Sequence, residues 1–153
     1  MSLPFKIAYG NIKLEIFMAK KYEILEHKAD LKIRAFGRSK EELFLNTMIA
    51  MIENMKPQIK KPLESLKKEI KIKSVDLTSL LVDFLSEVLY LSQTNKEVYS
   101  NVKFIKFSDT ELEAEIIGQK VQRFNEDIKA VTYHDLEVKK ADDQWAAVIL
   151  FDI

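Results

Sequence analysis

The segment QWAAVILFDI, residues 144–153, decides how the rest of the chain is interpreted. Alternation along a strand leaves both of its faces apolar. The two sets are Ala146, Val148 and Leu150 on one face and Trp145, Ala147, Ile149 and Phe151 on the other. A strand that is apolar on both faces is usually central in its sheet and covered on both sides. We therefore expect this segment to be a central, covered strand.

Two earlier segments have the spacing of buried helices. Ser39 and Glu42 form a capping box ahead of a helix that runs from about Lys40 to Met55. Its apolar stripe includes three methionines, which fit either a soft binding groove or, more commonly, a core. Asp76 can cap a second helix, Leu77–Ser92, whose stripe is wide enough for the buried spine of a domain.

The remaining segments have the pattern of strands. Two short runs, Tyr22–Leu25 and Leu31–Phe36, precede the first helix, and Pro57 and Pro62 bracket a loop after it. The other predicted strands are LKKEIKIK between the helices, then EVYSNVKFIKF, ELEAEI and DIKAVTYHDLEV before the final strand. The order ββαβαββββ predicts a single α+β domain, with a mostly antiparallel or mixed sheet packed against two helices.

Composition excludes several classes of function. The 153 residues contain no cysteine, so disulfides and zinc–thiolate sites are excluded and a reducing, cytoplasmic compartment is permitted. Formal net charge is zero, and no apolar run approaches the roughly 20 residues of a membrane span. Glycine-rich phosphate loops and nucleophile elbows are absent from the sequence. With only two histidines, a three-histidine metal site within one chain is impossible.

Lysines are concentrated in one segment. Residues 56–73 hold seven lysines against two glutamates. The usual explanation is a solvated face or a protected edge strand, and the alternative is contact with RNA or an acidic partner.

The first 20 residues precede the segments that predict the domain. We interpret residues 1–17 as an extra strand, a mis-assigned start with Met18 as the true one, or a remnant of cloning. Residues 1–20 are accordingly an uncertain N-terminal extension, and residues 21–153 are the domain.

The segments EHKAD and FDI place carboxylates at the ends of apolar strands. Asp30 lies in the turn between the first two strands, and Asp152 is followed by the terminal carboxylate of Ile153. A bare carboxylate at the end of a buried strand is costly unless it is paired or metal-bound. Together the three groups would suit a hard cation such as Ca²⁺ or Mg²⁺. Alternatively, Asp30 is a turn residue and Asp152 belongs to a frayed end.

The segment KAVTYH, residues 129–134, contains the second histidine. Strand alternation places His134 on one face with Ile128, Ala130, Thr132 and Leu136. A histidine among such neighbours is more often a hydrogen-bonded core residue than a catalyst.

Three motifs in order resemble the archease family: EHKADLKIRAFGRSKEELF, IKAVTYHDLEV and WAAVILFDI. The resemblance covers Tyr22 to Ile153 and implies a non-catalytic accessory protein of the RtcB-type RNA ligase. Such a protein promotes guanylylation of the ligase, supports multiple turnover and is indirectly associated with tRNA. Two departures stand out: Lys28 replaces a usual threonine, and Lys32 a usual glycine.

The resemblance also implies a site. Its metal ligands are Asp30, Asp152 and Ile153, with Ca²⁺ the first expectation and Mg²⁺ or Mn²⁺ the alternatives. Further residues near these ligands or the partner are His27, Lys129, Thr132, Tyr133 and His134. Lys28 and Lys32 add ammonium groups that should weaken cation binding unless they point to solvent.

Two other functions remain open at this stage. One is a stand-alone metal-dependent hydrolase using Asp30, Asp152 and His27. The other is a chaperone or RNA-binding adaptor that uses the lysines of residues 56–73.

Overall fold

The computed structural model describes residues 20–27 and 29–153, and within them the chain forms eight strands and two helices. The elements are β1 Tyr22–His27, β2 Asp30–Gly37, α1 Lys40–Asn54, β3 Pro57–Ile59, β4 Ser65–Lys73, α2 Leu77–Asn95, β5 Glu97–Phe107, β6 Glu111–Phe124, β7 Ala130–Ala141 and β8 Gln144–Asp152. The predicted α+β class is confirmed. The alternatives considered for residues 1–17 lie outside the described residues.

The first sheet has the order β1-β2-β8-β7, and every pairing in it is antiparallel. β8 lies between β2 and β7, as the apolar final segment predicts. Its inner face is fully buried at Ala147, Ile149 and Phe151. On its outer face Val148 is buried, but Ala146 and Leu150 are only half-buried, so the expected cover on both sides is incomplete.

The second sheet is organised around β6. β3, β4 and β5 each pair with β6, again antiparallel. The alternating apolar residues Leu112, Ala114 and Ile116 of β6 are buried. β3 was predicted to be loop; it is a strand because β6 continues to Phe124 and its last residues pair with Pro57–Ile59.

The two helices contact both sheets. α1 packs on β2, β8 and β5, and α2 packs on β7, β5 and β4. Four phenylalanines join the helices to β5, with ring centroids 5.0–6.4 Å apart: Phe44, Phe84, Phe104 and Phe107. The methionine stripe of α1 belongs to this core, since Met48, Met51 and Met55 are all buried.

Both predicted helix starts are confirmed by their caps. Ser39 Oγ accepts from the Glu42 amide at 3.0 Å, and the Glu42 carboxylate accepts from the Arg38 amide at 2.8 Å. Asp76 accepts from the Ser79 amide at 2.8 Å. α2 ends at Asn95 rather than at the predicted Ser92. The next residue, Lys96, takes a left-handed conformation and caps the helix. Neither helix is long and apolar enough, within the described residues, to cross a membrane.

Gly118 permits a close approach between β6 and β5. A Cβ built at this position would lie 1.7 Å from the carbonyl oxygen of Val98. The neighbouring atom belongs to a backbone that is paired along β6, so it cannot move aside without disturbing that pairing. The central strand of the second sheet therefore requires glycine here.

We predict that Gly118→Ala lowers the free energy of unfolding by roughly 3 kcal/mol, the upper part of the range for overpacking. Urea denaturation monitored by circular dichroism measures the change. Gln122→Ala, an exposed change on the same strand, is the control. Equal midpoints for the two variants would show that β5 and β6 can separate at this point without cost.

A buried carboxylate links β4, β5 and β6. Glu97 is 3% exposed. It accepts from the Tyr99 hydroxyl at 2.6 Å, and Lys120 Nζ and Lys68 Nζ lie 3.0 and 3.6 Å from it. Burial alone would raise the pKa of Glu97, but Tyr99 and the two lysines outweigh burial and hold the pKa below its usual value.

We predict that Glu97 makes a pH-dependent contribution to the free energy of unfolding. Since its pKa is lower in the folded state, the stabilisation is fully present above its ordinary pKa of 4.5 and is lost as the pH falls through the folded value. Glu97→Gln should lower the free energy of unfolding at pH 7 by about 2–3 kcal/mol. The difference from wild type should shrink on acidification.

Chemical denaturation between pH 7 and pH 3 provides the measurement. Glu64→Gln, an exposed change, is the control and should show no such trend. A Glu97→Gln deficit that stays constant across this range would contradict the assignment.

Candidate functional site

Asp30 and Asp152 are direct cross-strand partners at one end of the first sheet. The register of β2 with β8 pairs Leu31 with Phe151 and, one step further, Asp30 with Asp152. Cross-strand partners project from the same face, with Cβ atoms about 4.5–5.5 Å apart. Because Leu31 and Phe151 point inward and are buried, the two carboxylates lie on the outer face. The structure thus brings together two residues that the sequence separates widely.

The end of the chain adjoins this pair. Ile153 follows Asp152 directly, and its side chain packs against the core. Lys129 contacts both residues: its amide donates to the Asp152 carbonyl oxygen at 2.7 Å, and its ammonium lies 3.4 Å from the Ile153 oxygen. We call Asp30, Asp152, Ile153 and Lys129 the terminal cluster.

The donor chemistry of the terminal cluster fits a hard cation. Its anionic groups are two aspartates and the carboxylate of Ile153, all of them oxygen donors of the kind Ca²⁺, Mg²⁺ and Mn²⁺ prefer. No three histidine, cysteine, aspartate or glutamate side chains are grouped for metal binding in residues 20–27 and 29–153. A cation held here would therefore depend on the Ile153 carboxylate as its third anionic ligand.

The ammonium group of a lysine on the same face opposes metal binding. Lys32 lies two residues from Asp30 on β2, which places it on the outer face about 6.6 Å along the strand. It is half-buried and lines a shallow groove with Arg34 and Val148. Its ammonium group should lower the affinity of the terminal cluster for a cation. Lys28 lies outside the described residues.

The motif that begins with Lys129 is divided by a wide bulge. Thr132 pairs with Leu150, but the next paired residue of β7 is Glu137, opposite Val148. Residues 133–136 are therefore set against one residue of β8, and Asp135 adopts a left-handed conformation with φ 56°. The bulge interrupts the alternation that the sequence predicts for this strand.

His134 lies in the bulge, and the expectation that it is a core histidine is wrong. Its side chain is 74% exposed and lies 3.5 Å from the Asp135 carboxylate. The Thr132 hydroxyl accepts from the His134 amide at 3.1 Å. Thr132 itself remains on the outer face, where it pairs with Leu150, two residues before Asp152 on β8.

Tyr133 is tied to α2 rather than to the terminal cluster. Its hydroxyl donates to Asp83 Oδ1 at 2.8 Å, and the Ser74 hydroxyl donates to the other oxygen of the same carboxylate. The hydrogen bond to Asp83 raises the pKa of Tyr133. Sequence reasoning missed Asp83, although an acidic residue on the exposed side of such an apolar helix was a signal for it.

His27 is the last residue of β1, and its backbone pairs with Leu31. This pairing places it beside the start of β2, next to Asp30 in the sheet. Its predicted role, a contact to a cation ligand or to the partner, stays a prediction.

The last two lysines of the lysine-rich strand pair with glutamates of the neighbouring strand. On the outer face of the second sheet, Lys71 and Lys73 of β4 pair with Glu113 and Glu111 of β6. Lys73 Nζ lies 3.5 Å from Glu111, which also contacts Lys106 from β5. The row of glutamates on β6 thus balances lysines on both sides, which favours a solvated face over an RNA-binding one.

Comparison with known proteins identifies the family. The sequence profile of the Archease protein family (MTH1598/TM1083) matches residues 22–153. The chain belongs to the archease family. The archease of Methanosarcina barkeri is 39% identical over 142 residues, covering 88% of this chain and 97% of that protein. The archease of Pyrococcus abyssi is 34% identical over 146 residues, covering 88% and 99%.

Solved structures agree with the fold. Protein 1598 of Methanobacterium thermoautotrophicum superposes with a TM-score of 0.66 at 26% identity, covering 86% of this chain and 98% of that one. An archease of Thermotoga maritima, described as a possible chaperone, has a TM-score of 0.63 at 22% identity and covers 86% and 96%. The second likeness shows that the fold persists at low sequence identity.

Proposed function

We propose that this archease is a non-catalytic, cytoplasmic accessory protein that activates an RtcB-type RNA ligase in tRNA splicing and RNA repair. It promotes guanylylation of the ligase's active-site histidine and supports repeated turnover. The observation that carries the proposal is the pairing of Asp30 with Asp152 beside Ile153 at one end of the first sheet. Membership of the archease family supports the choice of an accessory role.

The terminal cluster is the working part of this proposal. Asp30, Asp152 and the Ile153 carboxylate hold a divalent cation, with Ca²⁺ preferred over Mg²⁺ and Mn²⁺ as the first candidate. When bound, such an ion supplies positive charge for the phosphate oxygens of a nucleotide. Lys129 holds the Ile153 end of the cluster in place through its amide and ammonium contacts.

The fold presents this cluster to a partner without obstruction from the core. Both aspartates project from the outer face of the sheet at the ends of their strands, and Asp152 is exposed. In contact with the ligase, the carboxylates reach the nucleotide site and orient the phosphate groups there. In this proposal activation consists of positioning, since the charged groups of the cluster orient the phosphates and do not attack them.

The two other functions considered from the sequence have less support. A stand-alone hydrolase using Asp30, Asp152 and His27 would need a catalytic acid or base beside the carboxylates. Membership of the archease family favours an accessory role instead. An RNA-binding adaptor would need unpaired lysines, whereas Lys71 and Lys73 of β4 face glutamates on β6 and Lys68 lies 3.6 Å from Glu97.

We predict that Ca²⁺ raises the melting temperature of the wild-type protein and not that of Asp152→Asn, because the substitution removes one anionic ligand. Lys32→Gln should tighten Ca²⁺ binding, since it removes a nearby positive charge. Thermal scanning and isothermal titration calorimetry with CaCl₂ measure both effects. Asp143→Asn, an exposed aspartate in the β7–β8 turn, is the matched control. Equal responses of Asp152→Asn and Asp143→Asn would contradict a metal site.

We predict that Asp30→Ala and Asp152→Ala abolish ligase activation while leaving the fold intact, because neither carboxylate contributes to the core. The measurement is guanylylation of an RtcB-type ligase from the same organism, with and without each variant. Asp143→Ala should activate like wild type. Activation at the wild-type level by both cluster variants would overturn the proposed mechanism.

A further inference from the structure

A second surface extends from the terminal cluster along β7 and α2. We call it the α2–β7 face and define it by Val75, Asp83, Glu87, Tyr90 and Tyr133. Among the described residues, Val75, Tyr90 and Tyr133 are large apolar or aromatic side chains that are 84%, 60% and 57% exposed. Exposed aromatic residues grouped together are characteristic of protein interfaces rather than of plain surface.

Hydrogen bonds place these residues on one face. Tyr133 and Ser74 both donate to Asp83, so β7, α2 and the segment before α2 meet at this carboxylate. Val75 follows Ser74 directly. Glu87 and Tyr90 come one and two turns after Asp83 on the same side of α2. The Gln93 side chain, further along the helix, donates to the Ile128 carbonyl at 2.7 Å, so α2 follows β7 toward the terminal cluster.

Tyr133 is already ordered for contact. Its ring is exposed while its hydroxyl is fixed to Asp83, so little rotational freedom remains to be lost on binding. A side chain that is ordered before association contributes more of its contact energy to affinity. This distinguishes Tyr133 from a surface tyrosine that is free to rotate.

The charge of the face selects its partner. α2 contains Asp83 and Glu87 and no lysine, arginine or histidine in its 19 residues, and its N-cap is Asp76. The second sheet differs, because it carries lysines, of which Lys71 and Lys73 pair with Glu113 and Glu111. A surface that combines acidic groups with tyrosine rings fits arginine and lysine side chains, which pair with carboxylates and stack on aromatic rings. The same charges repel nucleic acid.

We propose that the α2–β7 face docks a basic surface of the RtcB-type ligase and thereby brings the terminal cluster to its target; the inference rests on the proposed function. β7 connects the two regions: the Lys129 amide bonds the Asp152 carbonyl oxygen, and Tyr133 follows four residues later, about 13 Å along an extended strand. Docking and activation are thus separate tasks carried by adjoining parts of one strand.

The test separates these tasks through titration of the archease against a fixed amount of ligase. Tyr90→Ser and Glu87→Lys should raise the concentration for half-maximal guanylylation about tenfold or more, with the maximum retained. Asp152→Asn should lower the maximum instead. Ile105→Ser, an exposed apolar change on β5, and Glu64→Lys, an exposed charge reversal, should stay within about twofold of wild type.

Each of the other outcomes contradicts either the docking surface or the proposed function. If wild type activates and the α2–β7 variants keep its half-maximal concentration, the docking surface is wrong while the proposed function stands. If wild type neither binds nor activates the ligase, both fail. If sedimentation shows a wild-type dimer that Tyr90→Ser dissociates, with ligase affinity unchanged, the face binds a second copy instead. Circular dichroism on every variant verifies that the fold is retained.

Discussion

The antiparallel pairing of β2 with β8 is the contact on which the rest of the molecule depends. It joins the early hairpin to the last strand and buries Leu31 and Ile33 against Phe151 and Ile149. Because side chains alternate with a period of two, a slip of one residue would turn this apolar set to solvent. Burial therefore fixes the register, and the register alone places Asp30 opposite Asp152. Like charges directly opposite each other destabilise a sheet, so the core holds in place two groups that would separate if they were free.

The contrast between the two sheets has the same basis. On the outer face of the second sheet, lysines pair with glutamates across strands at Lys71–Glu113, Lys73–Glu111 and Lys103–Glu115, although Glu69 faces Glu115. In the first sheet the carboxylates of the terminal cluster are brought together, and α2 beside it carries acidic residues only. In the lysine-rich segment, Lys71 and Lys73 are balanced in the fold by glutamates of β6.

Local patterns allowed much of this to be predicted. The caps at Ser39 and Asp76 and the central position of β8 follow from signals within a few residues, and each is confirmed. β3 was missed because its three residues are a strand only by pairing with the distant end of β6. The predicted orientation of His134 was wrong because the bulge at residues 133–136 interrupts the strand alternation on which the prediction rested. In the candidate site, the two aspartates were identified from their positions at strand ends. The contacts of Lys129, and the role of Asp83, required the fold.

The position of β8 in the first sheet also has a consequence for synthesis of the protein. On the ribosome, β1 and β2 emerge early, while their neighbour β8 follows almost the whole domain. Until then β2 presents an unpaired edge and a bare apolar face, which are features that promote association between unfinished chains. Non-local pairing of this kind slows folding as well. A nascent chain of this archease should therefore need shielding until its last strand arrives, and no polypeptide that stops short of β8 can acquire the paired aspartates.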